Sequence, residues 1–429
     1  MKLLLQKILK YFAKAILAKY HPEIIGITGS VGKTSAKEAI YAVLSAKFKV
    51  RQSIKNYNNE IGVPLTLIGL ASPANSLIGW VYVFVKAMKL LLKTDNNYPK
   101  ILILEMAADK PGDINYLTDM ANCDIGVITS IGESHLENFK NIDNVRKEKI
   151  NLISKLEKGG RAVLNFDDNN LRNSIKETKA KVFSFALDHP ADLIGKEIRI
   201  KFPILEKEEG IGLSFKLADR KSFAPVFMPN IISQAGVYSG LAGAAVGVIK
   251  GLNLVEISQA LGKYNAPRGR MRVLNGIKKT FLIDDSYNSS PASAILALDT
   301  LGSLPNDERR FKYAVLGEML ELGSLTVSGH EEVGRAVVEN KIDKLIAIGE
   351  RSRDIARGAK AAGMKKDDIF YFAAPEEAGK FLENRIKTGD LILIKGSQAM
   401  RMEKIVKQLM ADPTNADSLL VRQGKEWQR

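Results

Sequence analysis

One cysteine, Cys123, and four histidines are all that the 429 residues offer as thiol or imidazole ligands. A single thiol excludes an internal disulfide framework and any thiolate-bound metal cluster, and it fits a reducing compartment such as the cytoplasm. His21, His135, His189 and His330 are too few for a site built from several imidazoles. Low-complexity tracts and repeats of fixed period are missing. No run reaches the ~20 uninterrupted apolar residues of a spanning helix. The first twenty residues lack the cleavage site of a secretory signal and are interrupted by Lys7, Lys10, Lys14 and Lys19. Acidic residues are outnumbered, 48 against 63, for a net charge of +15. That excess suits phosphorylated substrates or anionic lipid. No zinc-finger spacing or aromatic-interleaved RNA-binding pattern accompanies it, so no nucleic-acid partner is expected.

What is present reads as α/β. The length predicts two or three domains. Residues 1–22 form a basic amphipathic helix, with Leu5, Ile8, Leu9, Phe12 and Ile16 on one face and lysines on another. From Ile24 onward, near-continuous apolar runs (Ile24–Thr28, Ile101–Leu104, Ile125–Thr129, Ala162–Leu164) alternate with helical patterns, as expected of parallel strands buried on both faces. Between Val182 and Met228, short β-rich runs separated by turn signals predict an antiparallel subsheet. Pro267-Arg268-Gly269-Arg270 reads as a hinge. The expected organisation is a central phosphate-loop domain over 23–268 with an apolar insertion at about 71–93, a Rossmann-like α/β domain over 269–412, and a polar tail over 413–429.

The strongest local signal is Gly29-Ser30-Val31-Gly32-Lys33-Thr34-Ser35, which follows an apolar strand and opens a helix. Backbone N–H groups in such a turn surround phosphate oxygens, helped by the positive end of the helix. Lys33 would neutralise the β- and γ-phosphates, and the Thr34 hydroxyl would ligate Mg²⁺. The loop is the shorter Gly-x-x-Gly-Lys-Thr form, since Ile27 stands where the common motif has its first glycine.

Further stretches follow in order: Asn58-Asn59-Glu60-Ile61-Gly62, Glu105-Met106-Ala107, His135-Leu136-Glu137-Asn138-Phe139, Lys147-Glu148-Lys149, and Asn165-Phe166-Asp167-Asp168-Asn169. Beyond the hinge come Asp284-Asp285-Ser286-Tyr287-Asn288, Leu316–Gly323 with His330, and Lys395-Gly396-Ser397 with Met402-Glu403. Together these motifs resemble the Mur ligases over about Ile24 to Leu409. The resemblance implies ATP-dependent, ADP-forming amide-bond synthesis through an acyl phosphate, in peptidoglycan precursor synthesis. The Asp-Asp-Ser-Tyr-Asn and Lys-Gly-Ser elements are most similar to the branch of the family that joins D-alanyl-D-alanine to a UDP-linked muramoyl tripeptide. Three departures accompany it. Only some twenty residues precede the first strand, where family members normally carry a UDP-binding domain. The stretch Ala71 to Lys93 looks inserted, and Ser239 stands where an asparagine usually contacts the nucleotide.

The resemblance also assigns roles. ATP would be held by Gly29 to Ser35, Asn59, Asp284 and Asn288. Mg²⁺ would be held by Thr34, Glu105, His135 and a carbamylated Lys149. Lys33, His135, Lys149 and Arg270 would serve the chemistry, with Arg270 reaching the γ-phosphate on domain closure. Lys395 and Ser397 would address the peptide substrates. A related Mur-type or folylpolyglutamate-type ligase with another acceptor is the near alternative. A GTPase is the distant one, because Asn340-Lys341-Ile342-Asp343 spells a guanine-specificity motif. That motif should follow a buried strand, yet here it closes a helical pattern and precedes Leu345–Ile348. Finally, the 1–20 helix and Leu77–Val85, followed by Lys86, Lys89 and Lys93, suggest peripheral contact with the inner face of a membrane, or packing of the two helices on each other.

Overall fold

The computed structural model describes residues 2–54, 57–132, 136–202, 210–305, 310–424 and 427; His135 lies outside the described residues. The chain divides into two compact units, one of residues 1–198, 215–227 and 237–264, the other of residues 199–214, 228–236 and 265–429.

The first sheet, most of whose residues lie in the first unit, is built on strands β1 (Glu23–Thr28), β2 (Val50–Gln52), β3 (Ile101–Glu105), β4 (Ile125–Ile128), β5 (Arg161–Asn165), β6 (Lys181–Ala186), β7 (Leu193–Lys201), β8 (Gly212–Ala218) and β9 (Phe223–Pro229). Their order across the sheet is β2-β3-β1-β4-β5-β6-β7-β8-β9. β1, β3 and β4 are apolar because helices cover both sides, and nearly every one of their residues is buried. β1 pairs in parallel with β3 on one side and β4 on the other. The chain leaves β1 towards β2 and leaves β4 towards β5, so the strand order reverses between these neighbours. Open α/β sheets bind ligands in the crevice at such a point.

The expected antiparallel subsheet begins later than Val182. β6 continues in parallel with β5, and β7 starts in parallel with β6 through Phe185↔Leu193 and Ala186↔Ile194. The reason lies in the connection, where Asp167 accepts backbone N–H bonds from Leu187 (2.6 Å), Asp188 (3.2 Å) and His189 (3.1 Å) and hooks the chain round. The antiparallel part is left to β7, β8 and β9, which follow one another across the sheet.

Five helices of this unit flank the site or cover the sheet beside it: α1 (Lys2–Tyr20), α2 (Lys33–Ser45), α3 (Gly62–Ile68), α4 (Leu77–Leu92) and α5 (Asp113–Met120). Most of the α1 stripe that suits a lipid surface is spent on the core instead, Ile8 being its exposed member. Leu9, Ala13 and Ile16 are fully buried, with Leu5 and Phe12 packed beside them. α1 contacts α3, α4 and α5. Phe12 meets Phe84 at 5.9 Å between ring centroids. Lys19 Nζ donates to the carbonyls of Leu90 and Leu91 at 2.9 Å each, closing the C-terminal end of α4. No described helix is long and apolar enough to cross a membrane.

The second unit carries β10 (Arg272–Asn275), β11 (Phe281–Asp285), β12 (Lys312–Gly317), β13 (Lys344–Ile348), β14 (Ile369–Phe372) and β15 (Leu391–Lys395) in the order β10-β11-β15-β12-β13-β14. Only the β10–β11 pair is antiparallel among the pairs of this sheet. Apolar clusters lie on both faces. The segment after Asp412, expected as a polar tail, folds back on this unit. Ala416 and Leu420 are buried, and Arg268 Nη1 donates to the Asp417 carbonyl at 2.8 Å.

Candidate active site

The phosphate loop is shaped by what lies behind it. A Cβ on Gly29 would come within 2.0 Å of Thr129 Oγ1, so the close approach of the two loops requires glycine there. Gly32 has φ +85°, a left-handed conformation, and delivers the chain into α2. The segment after β4 braces the loop: Ser30 N donates to the Ser130 carbonyl at 2.9 Å, Val31 N to Ser130 Oγ at 3.0 Å, and Thr129 Oγ1 to the Val31 carbonyl at 2.6 Å. That brace is held in turn by Asp168, which accepts from Ile131 N at 2.6 Å. Lys33 folds over the loop and donates to the Gly29 carbonyl at 2.6 Å.

Glu105, the last residue of β3, is the centre of a buried polar cluster. Thr34 Oγ1 donates to its Oε2 at 3.1 Å and Asn58 Nδ2 to its Oε1 at 3.2 Å. The Lys37 ammonium lies 3.8 Å from Oε2 and also donates to the Ser53 carbonyl at 2.9 Å. The sequence reading missed Lys37 and Asn58 as members of this cluster. The available signal was the i, i+4 spacing of Lys33 and Lys37, which puts both on one face of α2. Asn59 has a local role here: its Oδ1 accepts from Ile61 N and Gly62 N at the start of α3. Ser239, in the helix Gln234–Ile249, is buried.

Lys149 enters from the helix Ile142–Ser154 and is 2% exposed. Its Nζ donates to the Gly29 carbonyl at 3.1 Å, so Lys33 and Lys149 converge on one oxygen of the loop. Burial, and then the neighbouring Lys33 charge, pushes the Lys149 ammonium down to about 7. A neutral amine is therefore accessible at physiological pH, bonded to the loop that leads to the Thr34 hydroxyl and its Glu105 carboxylate partner. Hard oxygen donors of this kind, one carboxylate plus a hydroxyl, suit Mg²⁺ that draws its remaining ligands from phosphate and water. Among the described residues no group of three or more His, Cys, Asp or Glu forms a metal cage. An anionic Lys149 carbamate would supply a further oxygen ligand.

The second unit treats its motif residues differently. Asp284 is fully buried; its Oδ1 accepts from Ser286 Oγ at 2.6 Å and Ser286 N at 3.1 Å, while Oδ2 has no partner. Burial raises its carboxyl to about 6. Lys395 Nζ forms a buried ion pair with Asp285 at 2.6 Å and donates to the Asn288 carbonyl at 2.9 Å. Ser397 Oγ accepts from Leu320 N at 2.8 Å. Lys395 and Ser397 thus tie strand ends together and Asp284 braces its own loop, whereas the Asn288 side chain is exposed. Arg270 stacks its guanidinium 4.0 Å over the Tyr287 ring. Arg422, which the sequence reading left in the tail, donates to the Ser286 carbonyl at 3.2 Å, to the Tyr287 carbonyl, and to Glu403 Oε2 at 2.7 Å. Nothing in a polar terminal stretch announces such a contact.

The guanine-specificity lookalike is a turn. Asn340 caps the helix Thr326–Glu339 and donates to Asp299 at 2.8 Å, Lys341 adopts φ +54°, and Asp343 accepts from Lys312 N at 2.7 Å. These side chains are committed to joining a helix to β13.

A phosphate loop at a strand-order reversal, a strand-end carboxylate beside its threonine and a buried amine on the same loop define a nucleotide-using ligase site. The chain belongs to the Mur ligase family: the family's middle domain matches residues 27–76 and 85–225, and its glutamate ligase domain matches residues 269–398. Among its relatives, the UDP-N-acetylmuramoyl-tripeptide–D-alanyl-D-alanine ligase of Bacillus subtilis is 29% identical over 405 residues, covering 94% of this chain and 79% of that one. The structure of MurF ligase from Thermotoga maritima in complex with ADP is 26% identical, with a TM-score of 0.77 over 94% of this chain and 83% of that chain. MurF from Acinetobacter baumannii has the same fold at 23% identity, with a TM-score of 0.77 over 95% of this chain and 81% of that one.

Proposed function

We propose that this chain joins D-alanyl-D-alanine to a UDP-N-acetylmuramoyl-tripeptide, with ATP converted to ADP and phosphate. The observation that carries the reading is the convergence of Thr34, Glu105 and Lys149 on the phosphate loop; the relatives named above supply the substrates. A terminal carboxylate of the tripeptide attacks the γ-phosphorus and ADP leaves. The dipeptide amine then attacks the acyl carbon, phosphate departs, and the amine gives up a proton. Most of this is charge management and positioning, which is where a fixed loop contributes most. Lys33 neutralises phosphate charge. Mg²⁺ held by Thr34 and Glu105 would offset the charge that builds on the phosphate oxygens. Neutral Lys149 would add to CO₂ and release a proton, and the resulting carbamate gives the site a second anionic ligand while relieving the Lys33–Lys149 repulsion. The reaction belongs to the cytoplasm, at the inner face of a membrane.

ADP release from ATP and Mg²⁺ tests the reading, with each substrate omitted in turn. Release is expected only when both the UDP-linked tripeptide and the dipeptide are present. Turnover that prefers GTP, or that ignores the dipeptide, contradicts it.

A further inference from the structure

α4 is apolar on two sides, and only one of them has a protein partner. Val83, Ala87 and Leu90 face the core of the first unit. On the opposite side, at helical spacing, Ile78, Val81, Val85, Met88 and Leu92 stand in solvent, Ile78 85% and Leu92 76% exposed. A surface helix of a globular protein carries polar residues there, and a contiguous apolar face of this kind marks an interaction site. Leu4 and Ile8 of α1 extend it, since they flank Phe12, which meets Phe84 of α4. Trp80 is not part of the face: it packs near Phe84, and its Nε1 donates to the Ala74 carbonyl at 3.1 Å.

Charge decides the occupant. Residues 2–20 and 71–94 contain eight lysines and no aspartate or glutamate. Lys86, Lys89 and Lys93 run along the exposed side or its border and enter no ion pair among the described residues. A second copy of the chain docking through the same patch would set these lysines against their own equivalents. An anionic lipid surface meets both features at once, the apolar strip entering the acyl boundary and the lysines resting among headgroups. Residues 77–84, the first half of α4, also fall between the two stretches matched by the family's middle domain, so the common fold does not account for them.

We propose that α4 is a membrane-docking helix, lying parallel to an anionic bilayer with its Ile78–Leu92 face down. The proposal rests on the reading that the ligase works beside a membrane and names the element that holds it there. It also leaves α1 a lesser part in the contact, since most of its stripe is buried and only Leu4 and Ile8 border the face.

The test is flotation of the full chain with vesicles of phosphatidylcholine containing phosphatidylglycerol, against phosphatidylcholine alone. Wild type should float with the anionic vesicles at low salt and be released at high salt. Ile78→Glu with Val85→Glu should abolish flotation, and Lys86→Gln, Lys89→Gln and Lys93→Gln together should weaken partition by roughly 100-fold. Both sets should keep the melting temperature of wild type and its ADP release in solution. Failure of wild type to float at low salt overturns the proposal, as does flotation that the Glu pair leaves intact. A wild-type dimer that the Glu pair splits, with no flotation, assigns the face to a second copy instead. Because vesicle binding and ADP release are read separately, failure of the ligase reading leaves this result interpretable.

Discussion

Both units set lysines against carboxylates and backbone carbonyls, but these lysines are put to opposite uses. In the first unit, Lys33, Lys37 and Lys149 crowd round one carboxylate and one carbonyl of the phosphate loop, and Lys149 is held far below the ordinary lysine range. Lys37 is answered by Glu38 and Glu105, but burial and then the Lys33 charge disfavour the Lys149 ammonium, so the loop gains from an added anion. In the second unit, Lys395 is matched by Asp285, and Arg401 and Arg422 are matched by Glu403. These charges are already answered, so the groups scaffold the loop from Asp285 to Asn288. The disfavoured Lys149 cation marks the working loop, and the matched charges of Lys395, Arg401 and Arg422 mark a frame, with the buried Asp284 carboxyl as its exception.

The contrast makes distinct predictions for the two regions. The largest effect is expected for Lys149→Met, which should lose on the order of 10³-fold in ADP release with no fall in melting temperature, because a buried amine is replaced by an apolar chain of similar size. Small carboxylic acids should restore part of the activity of Lys149→Ala. Wild-type turnover in either variant would make Lys149 part of the frame.

Lys395→Ala should behave in the reverse way. Breaking a buried ion pair from one side costs about 3–5 kcal/mol, so a drop in melting temperature should precede any change in catalysis. Pairing Lys395→Met with Asp285→Asn should recover much of that stability. Arg422→Ala removes charge-assisted bonds to two loop carbonyls and Glu403, at a cost of about 1.5–3 kcal/mol. If the frame positions Asn288, its KM for ATP should rise more than kcat falls.

The smallest effect concerns pH. The folded carboxyl of Asp284 titrates near 6, above its ordinary value of 3.8. Between those values the folded chain binds the extra proton, so this group's contribution to stability falls as pH rises from about 4 to 6. Asp284→Asn lacks that loss. Its stability relative to wild type should improve by about 1–3 kcal/mol across the interval, read from denaturant midpoints. A constant difference would mean that Asp284 is not protonated in the folded chain.

Much of this was legible beforehand because it rests on period and spacing. The buried strands declared themselves as apolar runs, and the glycine-lysine-threonine turn fixed the place of the loop. β2, β10 and β14 were missed because each has only three or four residues and reads as mixed or half-exposed. The roles of Lys395 and Ser397 were hidden for a different reason. A polar residue after an apolar strand suits a ligand and a neighbouring strand end equally well, and only the pairing of β11 with β15 brings Asp285 to Lys395. The same limit applies to α1 and α4, whose apolar residues are plain in sequence while the side each one turns inward is set by packing.

The central claim is that chemistry gathers on Glu105, and ADP release by Glu105→Gln tests it most directly. The amide keeps the shape of the carboxylate and removes its charge. Measured with saturating ATP, Mg²⁺, UDP-linked tripeptide and dipeptide, turnover should fall on the order of 10³-fold while the melting temperature stays within a few degrees of wild type. Turnover within tenfold of wild type in the folded variant would contradict the account.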